Sequence, residues 1–310
     1  MEITNITKVS YFILQGFPSS PVVCDTIFVV LLLIYFVTLA GNFLMIIIIW
    51  TDYRLHSPMY FFLRNLSLLE TFGISAIIPQ LLFVLRGNKL VSLGGCYTQC
   101  YIYFVISSSC FLLLSAMSVD RYLAICSPLR YPTIMTHNLC VTLVGICVMI
   151  PFILHSCMLD ILVKLPLCGY IIDHFFCDST AILKLVCVDI TFFILSGIIS
   201  SIFILVIPLI IIVISYIFIV YKIVMIPSIK GRQKTFSTCV SHLTMVSIVF
   251  GSAIFIQIRP SKSYSIETDK IINLVSTDLA PLLNPFIYTL RNQRVKDSIS
   301  DAIKSIKLFV

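Results

Sequence analysis

Residues that could carry out chemistry are few in this 310-residue sequence and lie far apart. No His-Glu-x-x-His zinc motif occurs. Ser241 and His242 are adjacent, so on a helix they would point in different directions and could not act as a nucleophile and its base. No two histidines lie within one helical turn of each other: His56, His137, His155, His174 and His242. The sequence therefore argues against an enzyme, and it offers no candidate site for a metal or a cofactor.

Four of the twelve cysteines differ from the rest in their surroundings. Most cysteines lie in apolar runs, where Cys packs as a small apolar residue. Cys96 begins one such run, and Cys168, Cys177 and Cys187 lie in the long stretch between two others. In an oxidising compartment these four would form disulfides. Four cysteines allow three pairings, and spacing alone leaves all three open.

The elements that position these residues follow from the composition. The chain is 59% apolar and only 11% charged, whereas soluble domains carry about 25% charged residues. The charges are clustered, which leaves long uncharged runs. A helix needs about 20 apolar residues to cross the hydrocarbon layer, and lipid cannot satisfy an irregular backbone. These runs are predicted to be membrane-spanning helices.

Seven long apolar runs occur, at 27–50, 59–85, 93–125, 139–159, 190–221, 235–258 and 271–290. Four of them hold no charge; the others hold only Arg64 and Glu70, Asp120 and Arg121, and Asp278. The sequence thus predicts an all-α membrane protein with a single seven-helix bundle domain over residues 1–310. Its parts would be an N-terminal tail (1–25), the transmembrane bundle (26–290) and a C-terminal tail (291–310). In that tail, apolar residues recur at helical spacing among lysines, which predicts a short amphipathic helix on the membrane surface.

The distribution of charge predicts an extracellular N-terminus. Lys and Arg favour the cytoplasmic side, and the loop between the fifth and sixth runs holds Lys222, Lys230, Arg232 and Lys234 with no acid. Asn5 heads an Asn-Ile-Thr glycosylation acceptor, which is useful only on the lumenal side. A bilayer and a cytoplasmic partner account for the net charge of +7, and no feature indicates nucleic-acid binding.

Four long motifs carry a resemblance that covers essentially the whole chain. They are LHSPMYFFL at 55–63, MSVDRYLAICSPL at 117–129, KTFSTCVSHL at 234–243 and PLLNPFIYTLRN at 281–292. Together and in this order they resemble the odorant receptor family of rhodopsin-like G-protein-coupled receptors. The resemblance implies a multi-pass receptor of the plasma membrane, in cilia of olfactory sensory neurons, that binds an odorant and couples to a heterotrimeric G protein.

The resemblance also assigns roles in coupling. Arg121 would be uncovered when the sixth span swings out and the G protein docks. The proline in the seventh span frees a backbone carbonyl there, and Asn42 and Glu70 are plausible polar neighbours. The coupling and activation residues implied are Asp120, Arg121, Tyr122, Tyr216, Asn284, Pro285 and Tyr288, with both tyrosines of the fifth and seventh spans reaching toward Arg121 in the active state.

The resemblance implies two disulfides, Cys96–Cys177 and Cys168–Cys187.

The chain also departs from the family pattern. Glu70 replaces the usual aspartate of the second span and Cys110 the frequent glutamate of the third, which puts a sodium site between them in doubt.

A ligand pocket is expected in the outer half of the bundle, lined mainly by apolar residues with a few hydroxyls, which suits small volatile molecules.

The carboxyl group of Asp278 is expected to lie in mid-membrane, where it needs a partner. The Tyr103 hydroxyl is the expected donor to it; a protonated carboxyl or direct contact with ligand are the alternatives. The expected lining is Tyr103, Phe104, Ser107, Ser108, Ser200, Ser201, Phe250, Ile254, Gln257, Thr277 and Asp278.

The sequence thus predicts an odorant receptor that activates a stimulatory, olfactory-type G protein and raises cyclic AMP. Ligand would shift the population between two packings of the bundle. The alternative is a transporter or channel, which would favour charged or broken helices along a path and repeated halves. Only Glu70 and Asp278 are charged in mid-membrane, and no repeat is found.

Overall fold

Helices make up most of the computed structural model, which describes residues 10–17, 20–258 and 266–309. Seven long helical segments lie in the chain order of the predicted runs. The helices are α1 (Pro21–Thr51), α2 (Pro58–Leu85), α3 (Leu93–Cys126), a short α4 (Tyr131–Ile134), α5 (His137–Lys164), a short α6 (Ser179–Leu183), α7 (Thr191–Ser201), α8 (Ile207–Val224), α9 (Ile229–Ile258), α10 (Ile266–Arg291) and α11 (Gln293–Phe309). A π-helical turn, Ile202–Val206, joins α7 to α8, so that these three form the fifth segment.

Six helices in the described part of the chain are long and apolar enough to cross a membrane. Large apolar side chains cover their outer faces; Phe36, Phe72 and Ile217 are 59%, 58% and 62% exposed. Soluble proteins rarely expose an apolar surface this large. In a membrane, lipid chains would cover it. The seventh helix, α10, is more polar because it carries Lys270 and Asp278. The predicted seven-helix membrane bundle is therefore confirmed.

Local sequence signals mark where these helices begin. Proline occupies the first turn of α1 and of α2, where its missing N–H costs nothing. Ser92 Oγ accepts from the Gly95 N–H at the start of α3, and Thr136 Oγ1 accepts from the Leu139 N–H at the start of α5. Such caps satisfy amides that have no partner within the helix.

Two helices begin earlier than predicted. The sixth begins at Ile229 rather than at 235, and the seventh at Ile266 rather than at 271. Absence of charge defined the predicted runs, but a helix continues past the hydrocarbon into water. Lys230, Arg232 and Lys270 therefore belong to helices and not to loops.

A small sheet, which the sequence did not predict, covers one end of the bundle. Its strands are β1 (Tyr11–Leu14), β2 (Leu90–Ser92) and β3 (Ile171–Ile172). The central β1 pairs antiparallel with β2 and parallel with β3. Phe12 and Leu14 of β1 are fully buried. We call this sheet and loop 165–190 the lid.

One disulfide joins the lid to the bundle, and a second closes a loop within the lid. Cys96, in the first turn of α3, is bonded to Cys177, and Cys168 is bonded to Cys187. These are the two pairs that the resemblance implies. Gln99 adds a second connection: its Oε1 accepts from the Cys177 N–H at 3.1 Å, and its Nε2 donates to the Ala76 carbonyl of α2 at 2.8 Å. We call this end of the bundle the disulfide end and the opposite end the Arg121 end.

Candidate functional site

A cavity of about 220 Å³ lies among α2, α3, α9 and α10. Most of its wall is apolar, with Ile106 and Phe111 of α3 facing Val249 and Ile256 of α9. Seven lining residues carry polar groups: Glu70, Tyr103, Ser107, Cys110, Ser252, Thr277 and Asn284. An apolar enclosure with a few placed polar groups is the usual form of a small-molecule site.

Three of the predicted pocket residues line this cavity, namely Tyr103, Ser107 and Thr277. The hydroxyls of Tyr103 and Thr277 lie 3.4 Å apart and join α3 to α10. Tyr103 also packs edge-on against Phe176 of the lid, with ring centroids 5.3 Å apart. The upper wall of the cavity is therefore in contact with the lid.

Seven of the other predicted pocket residues lie outside the cavity lining. The Ser108 hydroxyl bonds to His155 Nε2 of α5 at 2.8 Å, and the Phe104 ring packs against the same histidine, so this face of α3 is directed at α5. Phe250 packs behind the wall against Phe111, with ring centroids 5.0 Å apart. The cavity lining contains none of Ser200, Ser201, Ile254 and Asp278, and the side chain of Gln257 lies outside the described part of the chain.

The cavity extends deeper than the sequence analysis placed it. Tyr103, Ser107, Cys110 and Leu114 follow one another at spacings of four, three and four residues, and all four line the cavity. That spacing is one face of an α-helix. Extending this helical spacing from Tyr103 toward the Arg121 end would have predicted Cys110 and Leu114 from the sequence.

The predicted hydrogen bond from Tyr103 to Asp278 is wrong. Tyr103 meets Thr277 instead, and adjacent residues on a helix point about 100° apart. Asp278 is 5% exposed, and neither carboxyl oxygen has a hydrogen-bond partner among the described residues. The fourth turn of α10 thus buries an acid that has no hydrogen-bond partner in the described part of the chain.

The prolines of α10 are accommodated by α1. Pro285 has no N–H to donate to the carbonyl four residues earlier, that of Pro281. Asn42 Nδ2 of α1 donates to this Pro281 carbonyl at 3.1 Å. A Cβ at Gly41 would meet the Pro285 ring at 3.0 Å, so glycine allows the close approach of the two helices. The freed carbonyl is therefore satisfied by a neighbouring helix.

Glu70 of α2 and Asn284 of α10 meet at the bottom of the cavity. Asn284 Nδ2 donates a hydrogen bond to Glu70 Oε1. Glu70 is 5% exposed and Asn284 2%. Glu70 Oε2 and Asn284 Oδ1 have no partner among the described residues. The floor of the cavity thus holds a polar contact between two helices and two free acceptors.

At the Arg121 end, Asp120 and Arg121 lie on the last turns of α3. Arg121 Nε is 3.9 Å from Asp120 Oδ2. The Tyr131 hydroxyl of α4 donates to Asp120 Oδ1 at 2.7 Å. The Asp120 carboxylate therefore contacts both Arg121 and Tyr131. The shorter of the two contacts is the one with Tyr131 of α4.

A buried histidine joins three helices at the level of Leu114, two turns of α3 before Arg121. His242 Nε2 of α9 lies 3.1 Å from the Leu114 carbonyl of α3, and His242 Nδ1 lies 2.8 Å from the Tyr216 hydroxyl of α8. A carbonyl can only accept, so Nε2 carries the hydrogen and Tyr216 donates to Nδ1. In this structure the Tyr216 hydroxyl is bonded to His242, and the buried Tyr288 hydroxyl has no partner among the described residues. The other predicted coupling tyrosine, Tyr122, packs on Phe218 of α8.

Comparison with known proteins decides the family. The sequence pattern described as "Olfactory receptor" matches residues 31–305. The chain is 42% identical to human Olfactory receptor 6X1 over 302 residues, which are 96% of each protein. It is also 42% identical to mouse Olfactory receptor 6E1 over 308 residues, 98% of each, and 41% identical to human Olfactory receptor 10J5 over 300 residues.

The chain belongs to the olfactory receptor family. It is accordingly a multi-pass membrane receptor that senses odorants and couples to a G protein. This family is one of signalling proteins and not of enzymes, as the sequence analysis predicted.

In this olfactory receptor, α11 is fixed to the turn after α1. Ser298 Oγ donates to Asp52 Oδ2 at 2.5 Å, and Arg54 forms ion pairs with Asp52 at 2.7 Å and Asp301 at 2.9 Å. The hydrogen-bonded Arg54 guanidinium holds the pKa of the Asp52 carboxyl well below its usual range. Val295 of α11 is fully buried. The predicted tail helix thus has a defined position beside α1.

The lid of the receptor is held by a buried lysine that the sequence analysis missed. Lys270 of α10 is 2% exposed. Its Nζ donates to the Gly16 carbonyl at 2.8 Å and to Asp173 Oδ1 at 2.6 Å. One ammonium therefore joins the seventh helix, the N-terminal segment and the loop that follows β3.

Beside this lysine, His174 is buried in an aromatic cluster of the lid. Its ring lies 4.5 Å from that of Phe175 and 4.7 Å from that of Phe176. Desolvation lowers the pKa of the His174 imidazole to about 4, so the side chain is neutral at pH 7. Phe175 in turn stacks on Phe17, with centroids 5.6 Å apart. This aromatic cluster meets the wall of the cavity through the contact of Phe176 with Tyr103.

Proposed function

We propose that this receptor binds a small, volatile odorant in the cavity beneath the lid and activates a stimulatory, olfactory-type G protein, which raises cyclic AMP. The observation that carries the proposal is the position of Leu114. Its side chain lines the cavity, and its carbonyl accepts the hydrogen bond from His242 of α9. A ligand that moves α3 or α9 at the cavity therefore acts on a contact close to Arg121.

The signalling step is a shift between two packings of the bundle. Cavity residues come from α3 and α9, and the same two helices are joined by His242 toward the Arg121 end. An outward movement of α9 requires that His242 leave the Leu114 carbonyl and Tyr216. Release of Tyr216 would allow its hydroxyl to turn toward Arg121. Ligand favours this state when it fits the cavity better there.

The volume and the lining of the cavity support a small ligand. A cavity of about 220 Å³ suits a small molecule. Tyr103, Ser107 and Thr277 supply the hydroxyls of its upper part. Phe104, Ser108, Ser200, Ser201, Phe250, Ile254, Gln257 and Asp278 stay predictions as ligand contacts.

The disulfide end is proposed to be extracellular. Disulfides form in oxidising compartments, and the opposite end carries Lys222, Lys230 and Arg232, which favour the cytoplasm. Glycosylation at Asn5, outside the described residues, would follow from this orientation. We place the receptor in the plasma membrane, and in cilia of olfactory sensory neurons by its family.

A test expresses the receptor with an olfactory-type stimulatory G protein and measures cyclic AMP against a broad panel of volatiles. Ala253→Trp would fill the cavity, because Ala253 lines it, and should weaken the response to every agonist at least tenfold. Val220→Trp places the same bulk on the outer face of α8, where Val220 is 49% exposed, and should have little effect. An Ala253→Trp receptor that reaches the surface and responds like wild type would place the ligand elsewhere. Agonists that signal through another class of G protein would refute the proposed coupling.

A further inference from the structure

A single arginine lies in the apolar surface of α2, near the Arg121 end. Arg64 is the only basic residue of Pro58–Leu85, and its side chain is partly exposed at the surface of the bundle. Its guanidinium forms no hydrogen bond and no ion pair with any described residue. A guanidinium has five N–H donors and a permanent positive charge. The described part of the chain therefore leaves this cation uncompensated.

The position of Arg64 along α2 places its charge at the level of the lipid headgroups. α2 has 28 residues and is about 42 Å long, whereas the hydrocarbon layer is about 30 Å thick. When the helix is centred in the bilayer, about 6 Å extends beyond the hydrocarbon at each end. Arg64 lies six residues after Pro58, or about 9 Å along the axis, so its Cα is only about 3 Å inside this boundary. The arginine stem spans that depth and carries the guanidinium to the headgroups.

Aromatic rings from two helices hold the guanidinium in place. The Arg64 Cζ atom lies 5.6 Å from the centre of the Trp50 ring of α1 and 5.2 Å from that of Phe61 of α2. Trp50 is the single tryptophan of the chain and is 69% exposed. Tryptophan favours the boundary between hydrocarbon and headgroups, which agrees with the depth worked out for Arg64. The rings orient the cation by cation–π contact but do not neutralise its charge.

The beginning of α5 adjoins the same aromatic rings. His137, the first residue of α5, packs edge-on against Phe61, with ring centroids 5.6 Å apart. The first N–H groups of a helix carry partial positive charge and have no partner within the helix. No acid occurs in the first turn of α5 to offset that charge. The start of α5 therefore adds positive potential to the surface that carries Arg64.

We propose that the surface formed by Trp50, Phe61, Arg64 and His137 binds the headgroup of an anionic phospholipid in the leaflet at the Arg121 end. The planar guanidinium donates two parallel hydrogen bonds to the phosphate oxygens. A zwitterionic lipid has the same phosphate, but its own ammonium group offsets the negative charge. Anionic lipids are a feature of the cytoplasmic leaflet, which lies at this end in the proposed orientation. The inference goes beyond the proposed odorant function and does not depend on it.

The single tryptophan provides the assay. Purified receptor is placed in vesicles of equal parts phosphatidylserine and phosphatidylcholine, with bromine on the acyl chains of one lipid in the first set and of the other lipid in the second. Bromine quenches tryptophan fluorescence on contact, so the ratio of the two quenching levels reports which lipid lies against Trp50, while the charge of the vesicles stays the same. Phosphatidylserine should be enriched about fivefold around the wild type, the factor expected for one cation at an anionic membrane surface. Equal quenching by the two lipids would overturn the inference.

Substitutions then assign the preference to Arg64. Arg64→Gln should make quenching by the two lipids nearly equal, whereas Arg64→Lys keeps the charge without the planar fork and should retain part of the preference. Arg130→Gln is the matched control, because it removes an exposed arginine that follows α3 at the same end of the bundle, and it should keep the full preference. Equal losses in Arg64→Gln and Arg130→Gln would indicate a diffuse basic surface and overturn the site. If Arg64→Gln does not fold, the wild type and Arg64→Lys still decide the question.

A soluble headgroup distinguishes a lipid from a free phosphate. Glycerophosphoserine carries the phosphate and the serine of the lipid but no acyl chains. Because the proposed occupant is held in the membrane by its chains, adding this compound to the vesicles should leave the quenching ratio unchanged. Loss of the phosphatidylserine preference in its presence would assign the surface to a soluble phosphate and overturn the lipid site.

Discussion

The buried lysine of the lid allows a prediction in which the order of two mutational effects matters more than their size. Lys270 is 2% exposed, whereas the side chain of Asp173 is 43% exposed. Asp173→Ala leaves the ammonium buried, with the Gly16 carbonyl as its remaining partner among the described residues. Lys270→Met removes the charge, retains most of the packing of the stem, and leaves Asp173 to be solvated by water. The change at the exposed partner should therefore be the more damaging one.

The magnitudes follow from these exposures. Removing one partner of a fully buried pair costs about 3–5 kcal/mol. Because Asp173 is half-exposed, water screens the pair and we expect about 2 kcal/mol for Asp173→Ala. Lys270→Met should cost about 1 kcal/mol, chiefly the hydrogen bond to Gly16. The double variant should resemble Lys270→Met alone, since without the lysine Asp173 has nothing to pair with.

The assay is thermal unfolding of detergent-purified receptor, followed by fluorescence. Asp25→Asn is the matched control, because Asp25 pairs with Arg86 and both side chains are more than half exposed. It should change stability by less than about 0.5 kcal/mol. A larger loss for Lys270→Met than for Asp173→Ala, or additive effects in the double variant, would refute the reasoning.

Three further predictions concern single side chains. Arg121→Ala should reach the cell surface but give no cyclic AMP response, because it removes the cation at the inner end of α3; full agonist response at normal expression would exclude that role. Stability should fall by up to about 3 kcal/mol as the pH drops from 6.5 to 4, because unfolded His174 binds a proton more readily than the folded side chain, whose pKa is about 4. His174→Phe should flatten that part of the stability curve, and an unchanged curve would assign it to another group. Asp278→Asn should stabilise the receptor by about 1 kcal/mol, since it removes a buried acid without a partner, and should keep the ranking of ligands; a changed ranking would bring Asp278 into the ligand site.

The seven helices could be predicted because lipid imposes a strict rule on the sequence. An uncharged run of about 20 residues has few alternatives to a spanning helix. The same constraint made Asn42 and Glu70 identifiable as neighbours of the α10 prolines, and they do contact the Pro281 carbonyl and Asn284. Because the lipid environment constrains every residue of a spanning helix, such helices can be recognised from the sequence.

The lid could not be predicted in this way. β3 consists of two residues, too short for any alternation of polar and apolar side chains. Lys270 lies one residue before the predicted seventh span, and its partner Asp173 is 97 residues away. The π-helical turn between α7 and α8 adds a residue to the helical count, so positions such as Ser200 cannot be placed by counting ideal turns from Tyr216. Long-range pairs and local irregularities leave no periodic signal.

The central place of β1 in the lid has a consequence for how the chain is made. Tyr11–Leu14 is synthesised about 160 residues before its parallel partner β3. At about 5–20 residues per second, the ribosome needs roughly 10–30 s to deliver that partner. β2 follows β1 after about 80 residues and can pair with it, but the sheet around Phe12 and Leu14, which are fully buried in the finished protein, still lacks β3. Lys270 arrives about 100 residues later still. The lid is therefore completed only late in synthesis, and β1 cannot reach its final packing until residues about 260 positions later have been made.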